Sequence, residues 1–145
     1  MKKIVIAFGT RPEIIKLAPV IKKVKELDVD LNILHTGQHS DLAETMLNVF
    51  DIQPDSNLNV MKENQDLFEL SASILPKAGA YFAEVKPDFV MVQGDTTTAY
   101  LTALAAYYHK IPVMHVEAGL RSNHPYYPQE KDNKDGCSAN RLPHA

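Results

Sequence analysis

The sequence has a single cysteine, Cys137, so no disulfide can form within the chain, which fits a reducing compartment. It has no apolar run approaching the roughly 20 residues that a membrane span requires. Its start, Met1-Lys2-Lys3 followed by Ile4-Val5-Ile6-Ala7-Phe8, is too short in its apolar part for a signal peptide and reads as a buried strand ending at Gly9. Charge of one sign is also missing. With 15 basic and 18 acidic residues the net charge is −3, which attracts neither nucleic acid nor a membrane surface. The chain carries no GxGxxG fingerprint, no P-loop, and no set of His, Cys and carboxylates at metal-ligand spacing. It shows no internal repeat and no low-complexity tract. The expectation is a cytoplasmic protein that binds neither nucleic acid nor membrane.

What is present is one domain's worth of chain. The 145 residues are 45% apolar, enough for a single core. Strand-like and helix-like segments alternate. Lys3–Phe8 is a continuous apolar run, as expected of a strand covered on both faces. Pro12–Leu27 places Ile14, Ile15, Leu17, Ala18, Val20, Ile21, Val24 and Leu27 on one broad helical face, with Pro19 as an internal blemish. Leu31–His35 reads as a strand, Asp41–Phe50 as a helix capped near Ser40 or Asp41, and Ser56–Met61 as a short extra strand. Leu67–Val85 reads as a long helix, with Pro76 predicting a bend near Leu75. Phe89–Val92, Thr96–His109 and Val113–Val116 complete the pattern as strand, helix and strand. This rhythm predicts an α/β fold, a Rossmann-like parallel sheet of four or five strands with helices on both faces. After Ser122 the periodicity stops. Residues 1–122 are expected to form the domain and 123–145 an irregular surface tail, which holds Cys137 with no sign of activation.

In such a sheet, ligands bind beyond the carboxyl ends of the strands. Three polar clusters fall there. The first is Phe8-Gly9-Thr10-Arg11-Pro12-Glu13, with Lys16 one turn on. Gly9 permits close backbone approach, the following helix start favours an anion, and Arg11 suits phosphate or carboxylate. Equally, it can be a glycine turn with two solvated cations. The second is Gly94-Asp95-Thr96-Thr97-Thr98, where Asp95 is either the cap of the next helix or an acid, base or orienting carboxylate. The third is His115-Val116-Glu117-Ala118-Gly119-Leu120-Arg121. Strand alternation would put His115 and Glu117 on one face. Glu117 either pairs with Arg121 or faces Asp95 as a second carboxylate, allowing acid and base roles to be divided. A smaller cluster, Thr36-Gly37-Gln38-His39, follows the second strand, where His39 alone reads as a capping or surface histidine.

Taken together and in this order, these strings resemble the non-hydrolysing UDP-N-acetylglucosamine 2-epimerases over about residues 2–122. The resemblance implies the N-terminal half of a GT-B-like two-domain fold, with no metal or redox cofactor. It implies interconversion of UDP-N-acetylglucosamine and UDP-N-acetylmannosamine by elimination of UDP to a 2-acetamidoglucal and re-addition on the other face. It also implies that Gly9, Arg11, Lys16 and Arg121 bind substrate, that Asp95 and Glu117 move protons, that Gln38 and His39 belong to a regulatory substrate pocket, and that the protein is a homodimer. The family's next motif is altered here to Pro125-Tyr126-Tyr127-Pro128-Gln129-Glu130, leaving Glu130 as the stand-in for a further catalytic glutamate. The second family domain is not found in the sequence, so the chain alone is expected to turn over little or no substrate. Two rival readings are the acceptor-side half of a GT-B nucleotide-sugar glycosyltransferase and a non-catalytic interaction domain.

Overall fold

The computed structural model describes residues 1–38 and 41–117. His39, Arg121, Glu130 and the expected 123–145 tail lie outside the described residues. Among the described residues five strands and four helices alternate: β1 (Lys2–Phe8), α1 (Arg11–Val24), β2 (Val29–His35), α2 (Asp41–Val49), β3 (Ser56–Asn57), α3 (Leu67–Val85), β4 (Phe89–Gln93), α4 (Thr97–Tyr108) and β5 (Val113–Val116). The strands form one sheet in the order β3-β2-β1-β4-β5, and every pairing is parallel. The predicted α/β architecture is the observed one. None of the described helices is long and apolar enough to cross a membrane.

The period of two along β1 builds both halves of the core. Ile6 and Phe8 pack with Ile14, Leu17 and Ile21 of α1 and with Ala43 and Leu47 of α2. Val5 and Ala7 face the other way, onto Ala78 and Phe82 of α3 and Ala99, Ala103 and Ala106 of α4. Small residues let α4 lie close to the sheet and to α3, and Ala103 and Ala106 are fully buried. The chain order reverses between β1 and β4, because successive strands fill one side of β1 and then the other. That reversal opens a crevice at the carboxyl ends of these two strands.

Several boundaries differ from expectation. Helix α1 ends at Val24 rather than Leu27, and Leu27 is exposed, because the Leu27 amide closes a tight turn onto the Val24 carbonyl. The third strand is only Ser56–Asn57. Helix α3 runs through Pro76 as one element, with Pro76 on its exposed side, where water can satisfy the carbonyl it leaves unpaired. This helix is fixed at its start by Asp66, whose carboxylate accepts the Glu69 N–H at 2.8 Å. Asp66→Ala is therefore expected to cost about 1 kcal/mol, read as a lower midpoint in urea with an unchanged slope.

Candidate active site at the strand ends

The crevice is bounded by three turns, one after each of the neighbouring strands β1, β4 and β5. After β1 the chain enters α1 through Gly9 and Thr10. A Cβ on Gly9 would lie 2.1 Å from Thr36 Oγ1 and 2.7 Å from Thr98 Oγ1, so only glycine fits. Thr10 is the N-cap and Glu13 the third helical residue, forming a capping box. Glu13 Oε1 accepts the Gly9 N–H at 3.2 Å, the Thr10 N–H at 3.1 Å and the Thr10 hydroxyl at 2.8 Å. This changes the expectation for the helix start: the Gly9 and Thr10 amides are engaged by the protein's own carboxylate, leaving the exposed Arg11 side chain to receive an anion.

After β4 the chain turns through Gly94, whose φ of 77° suits a residue without a side chain. Thr96, not Asp95, caps α4: its hydroxyl accepts the Ala99 N–H at 3.0 Å. The capping alternative for Asp95 is thereby removed. Asp95 stands half-buried beside the crevice. Thr98 donates to Gln38 Oε1 at 2.6 Å and its hydroxyl lies 3.2 Å from that of Thr36. Gln38 is thus bonded to the first turn of α4, a link that sequence reading did not anticipate.

After β5 the backbone of Glu117 adopts φ 60°, the left-handed region. Strand alternation therefore ends at Val116, and the expectation that His115 and Glu117 share a face fails. His115 Nε2 instead bonds the Gly94 carbonyl at 2.5 Å, bracing the β4 turn. Glu117 Oε1 accepts Lys16 Nζ at 2.6 Å, and Oε2 accepts Gln93 Nε2 at 2.6 Å. Among the described residues the ionic partner of Glu117 is Lys16 of α1, so Lys16 is not simply a solvated cation.

The electrostatics follow from this placement. The Lys16 ammonium, and secondarily the Gln93 amide, hold the Glu117 carboxyl below the usual carboxylate range. Both partners of the pair are about half exposed, at 50% and 43%, so it contributes little to stability. Lys16→Met is expected to raise the Glu117 titration midpoint in a carbon-13 carboxyl NMR titration while leaving the thermal midpoint nearly unchanged. Burial acts oppositely at Glu13, pushing its carboxyl up to about 7. His35, buried at the end of β2, is lowered by desolvation. Its Nδ1 accepts the Gly37 N–H at 3.1 Å, which assigns the proton of the neutral ring to Nε2.

The structure thus brings Gly9, Arg11, Lys16, Asp95 and Glu117 to three adjacent strand ends. It joins Lys16 to Glu117 directly and ties Gln38 to Thr98. Grooves of about 570 Å³ beside His35 and Asn57 and about 660 Å³ between α1 and the turn after α2 lie elsewhere, and neither is lined by Arg11, Lys16, Asp95 or Glu117. We place the site by its chemistry, since cations that can take a diphosphate stand beside carboxylates that can move protons. No group of three or more His, Cys, Asp or Glu among the described residues could hold a metal ion. The residue the sequence reading passed over is Glu13. Its signal was legible, because Thr10-Arg11-Pro12-Glu13 has the spacing of a capping box.

Comparison with known proteins gives the family and the fold. A family model described as UDP-N-acetylglucosamine 2-epimerase matches residues 22–132. The chain is 51% identical over 123 residues to a UDP-N-acetylglucosamine 2-epimerase of Campylobacter jejuni, covering 84% of this chain and 32% of that protein. Its fold matches the solved UDP-GlcNAc 2-epimerase of Neisseria meningitidis bound to UDP-GlcNAc with a TM-score of 0.88 and 40% identity, covering 94% of this chain and 38% of that one. Acinetobacter baumannii MurG, at 16% identity and a TM-score of 0.71, shares the fold alone. The chain spans about a third of the length of the curated relatives it matches.

Proposed function

Because the chain belongs to the UDP-N-acetylglucosamine 2-epimerase family, we propose that its strand-end rim forms one wall of a site that interconverts UDP-N-acetylglucosamine and UDP-N-acetylmannosamine. The observation that carries this reading is the Lys16–Glu117–Gln93 cluster at the switch point. It sets a cation and a proton acceptor side by side. Epimerisation through a glucal needs that pairing. A base removes the C2 proton, the C2–H electron pair forms the C1–C2 double bond, and the C1–O bond breaks with its electrons leaving on UDP. Arg11 and Lys16 stabilise the departing diphosphate. Glu117 and Asp95 handle the proton, and re-addition of UDP with protonation of the opposite face completes the inversion. A diphosphate that draws Lys16 away also frees Glu117 from the neighbour that depresses its basicity.

The test is an NMR titration of the 145-residue chain with UDP-N-acetylglucosamine in ordinary water, followed by a separate incubation of chain and sugar nucleotide in deuterium oxide. Shifts confined to the amides of Gly9–Lys16, Gly94–Thr97 and Val116–Glu117 are expected. Any turnover should place deuterium at C2 of the recovered sugar, and Asp95→Asn or Glu117→Gln should abolish that incorporation while binding persists. Perturbations confined to other surfaces, or no binding at several millimolar, would refute the reading. Transfer of the sugar to an acceptor without label at C2 would favour a glycosyltransferase instead.

A further inference from the structure

Glu13 has an anomaly that its capping role leaves unexplained. It is fully buried, with 0% exposure. Its Oε1 is saturated by Gly9 and Thr10. Its Oε2 is equally buried and has no hydrogen-bond partner. A buried ionised oxygen without a partner is strongly disfavoured, and a cap needs only the first oxygen. Burial pushes this carboxyl up, and the groups that act against burial are Thr10, the Gly9 amide and Thr96, all through hydrogen bonding and none of them charged. Only Thr96 comes from outside the β1–α1 turn. It is near enough to influence the carboxyl, although not at bonding geometry. The other titratable groups of the first two turns of α1 and of the strand-end turns beside it are Arg11 and Lys16, Asp95 before α4, His115 of β5 and Glu117 after it, and Arg11, Lys16 and Glu117 are exposed.

Thr96 Oγ1 accepts the Ala99 N–H and keeps a second lone pair. A proton on Glu13 Oε2 would supply the missing bond with only a small adjustment. We propose that Glu13 is a positioning residue, protonated on Oε2 and donating that proton to Thr96, so that the turn bearing Arg11 and the turn bearing Asp95 are clasped across the switch point. Loss of the proton puts a charge where no cation compensates it, and the two turns part to hydrate it. The clasp itself stands on the geometry of the free chain. Its consequence for binding rests on the sugar-nucleotide reading above.

The experiment follows the Glu13 carboxyl by carbon-13 NMR in the 145-residue chain between about pH 5 and pH 9, together with backbone amide shifts. The expected result is a midpoint near neutrality, shared by Gly9 and Thr10 on one side and by Asp95 and Thr96 on the other. Glu13→Gln should abolish the shared titration. Thr96→Val should leave Gly9 and Thr10 titrating with Glu13 while Asp95 no longer follows. UDP-N-acetylglucosamine, whose phosphates do not titrate here, should bind at least about fivefold more weakly at pH 8.5 than at pH 6, and Glu13→Gln should flatten that dependence. A carboxyl already ionised throughout about pH 6–9, or an Asp95 amide that still follows Glu13 in Thr96→Val, would overturn the clasp. If the sugar nucleotide binds at no pH, the proposed function fails, while the amide titration still decides the clasp.

Discussion

Replacing Gly9 with alanine is expected to cost about 3 kcal/mol or more, a fall of roughly 10 °C in the thermal midpoint. The added methyl would stand 2.1 Å from one threonine oxygen and 2.7 Å from another, with Gln38 Cβ at 3.1 Å behind them. Neither hydroxyl is a flexible side-chain end. Thr36 is fully buried, its amide is bonded to Phe8 at 2.8 Å, and its hydroxyl pairs with Thr98. The methyl must push the β1 turn away from the loop after β2. Adding Thr36→Ala removes the nearest oxygen, so the double variant should recover a substantial part of the loss, a non-additivity measurable by urea denaturation. Gly94→Ala is the control. Its Cβ meets nothing within 4 Å, and only the positive φ is strained, so about 1 kcal/mol is expected whatever its neighbours. Equal costs at the two glycines, or no recovery with Thr36→Ala, would contradict the close approach.

The stability of the chain is expected to fall as pH rises through the slightly acidic range, and Glu13→Gln should remove that fall. Burial raises the Glu13 carboxyl from 4.5 to about 7. Below the lower value both folded and unfolded chains hold the proton, and nothing is lost. Between the two values the unfolded chain releases its proton and the folded chain does not, so unfolding becomes easier as pH rises. Above about 7 both are ionised and the full penalty remains, up to about 3 kcal/mol. Glu117 acts in the other direction, since Lys16 lowers its titration, and its contribution is lost on acidification. The difference between wild type and Glu13→Gln isolates the buried group. The variant should melt higher than wild type at pH 8 and near it at pH 5. A constant offset at both would show that Glu13 is ionised throughout.

Much of the fold was legible because its strands are covered on both faces. Helix α3 and strand β5 have the bounds their apolar spacing predicts, and β1 gains only Lys2. The short β3 was harder, since two residues bonded to Leu34 and His35 leave almost no periodic signal. The end of α1 was missed because Leu27 is apolar yet exposed, and periodicity does not reveal where a backbone turn closes. At the site, position was readable and partnership was not. Strand ends locate Arg11, Asp95 and Glu117, but Lys16 and Glu117 are 101 residues apart, and only the strand order brings them together. Asp95 and Thr96 are adjacent and both favoured caps. Which one reaches the amide of Ala99 depends on the turn at Gly94.

The left-handed backbone at Glu117 carries a last consequence. A side chain there costs about 1 kcal/mol that glycine would not. Glu117→Gly should therefore give a hardier protein with the proposed proton acceptor erased. Laboratory evolution that rewards heat tolerance alone would drift toward that exchange, and the first sign of it would be a more robust chain without the carboxylate that the proposed epimerisation requires.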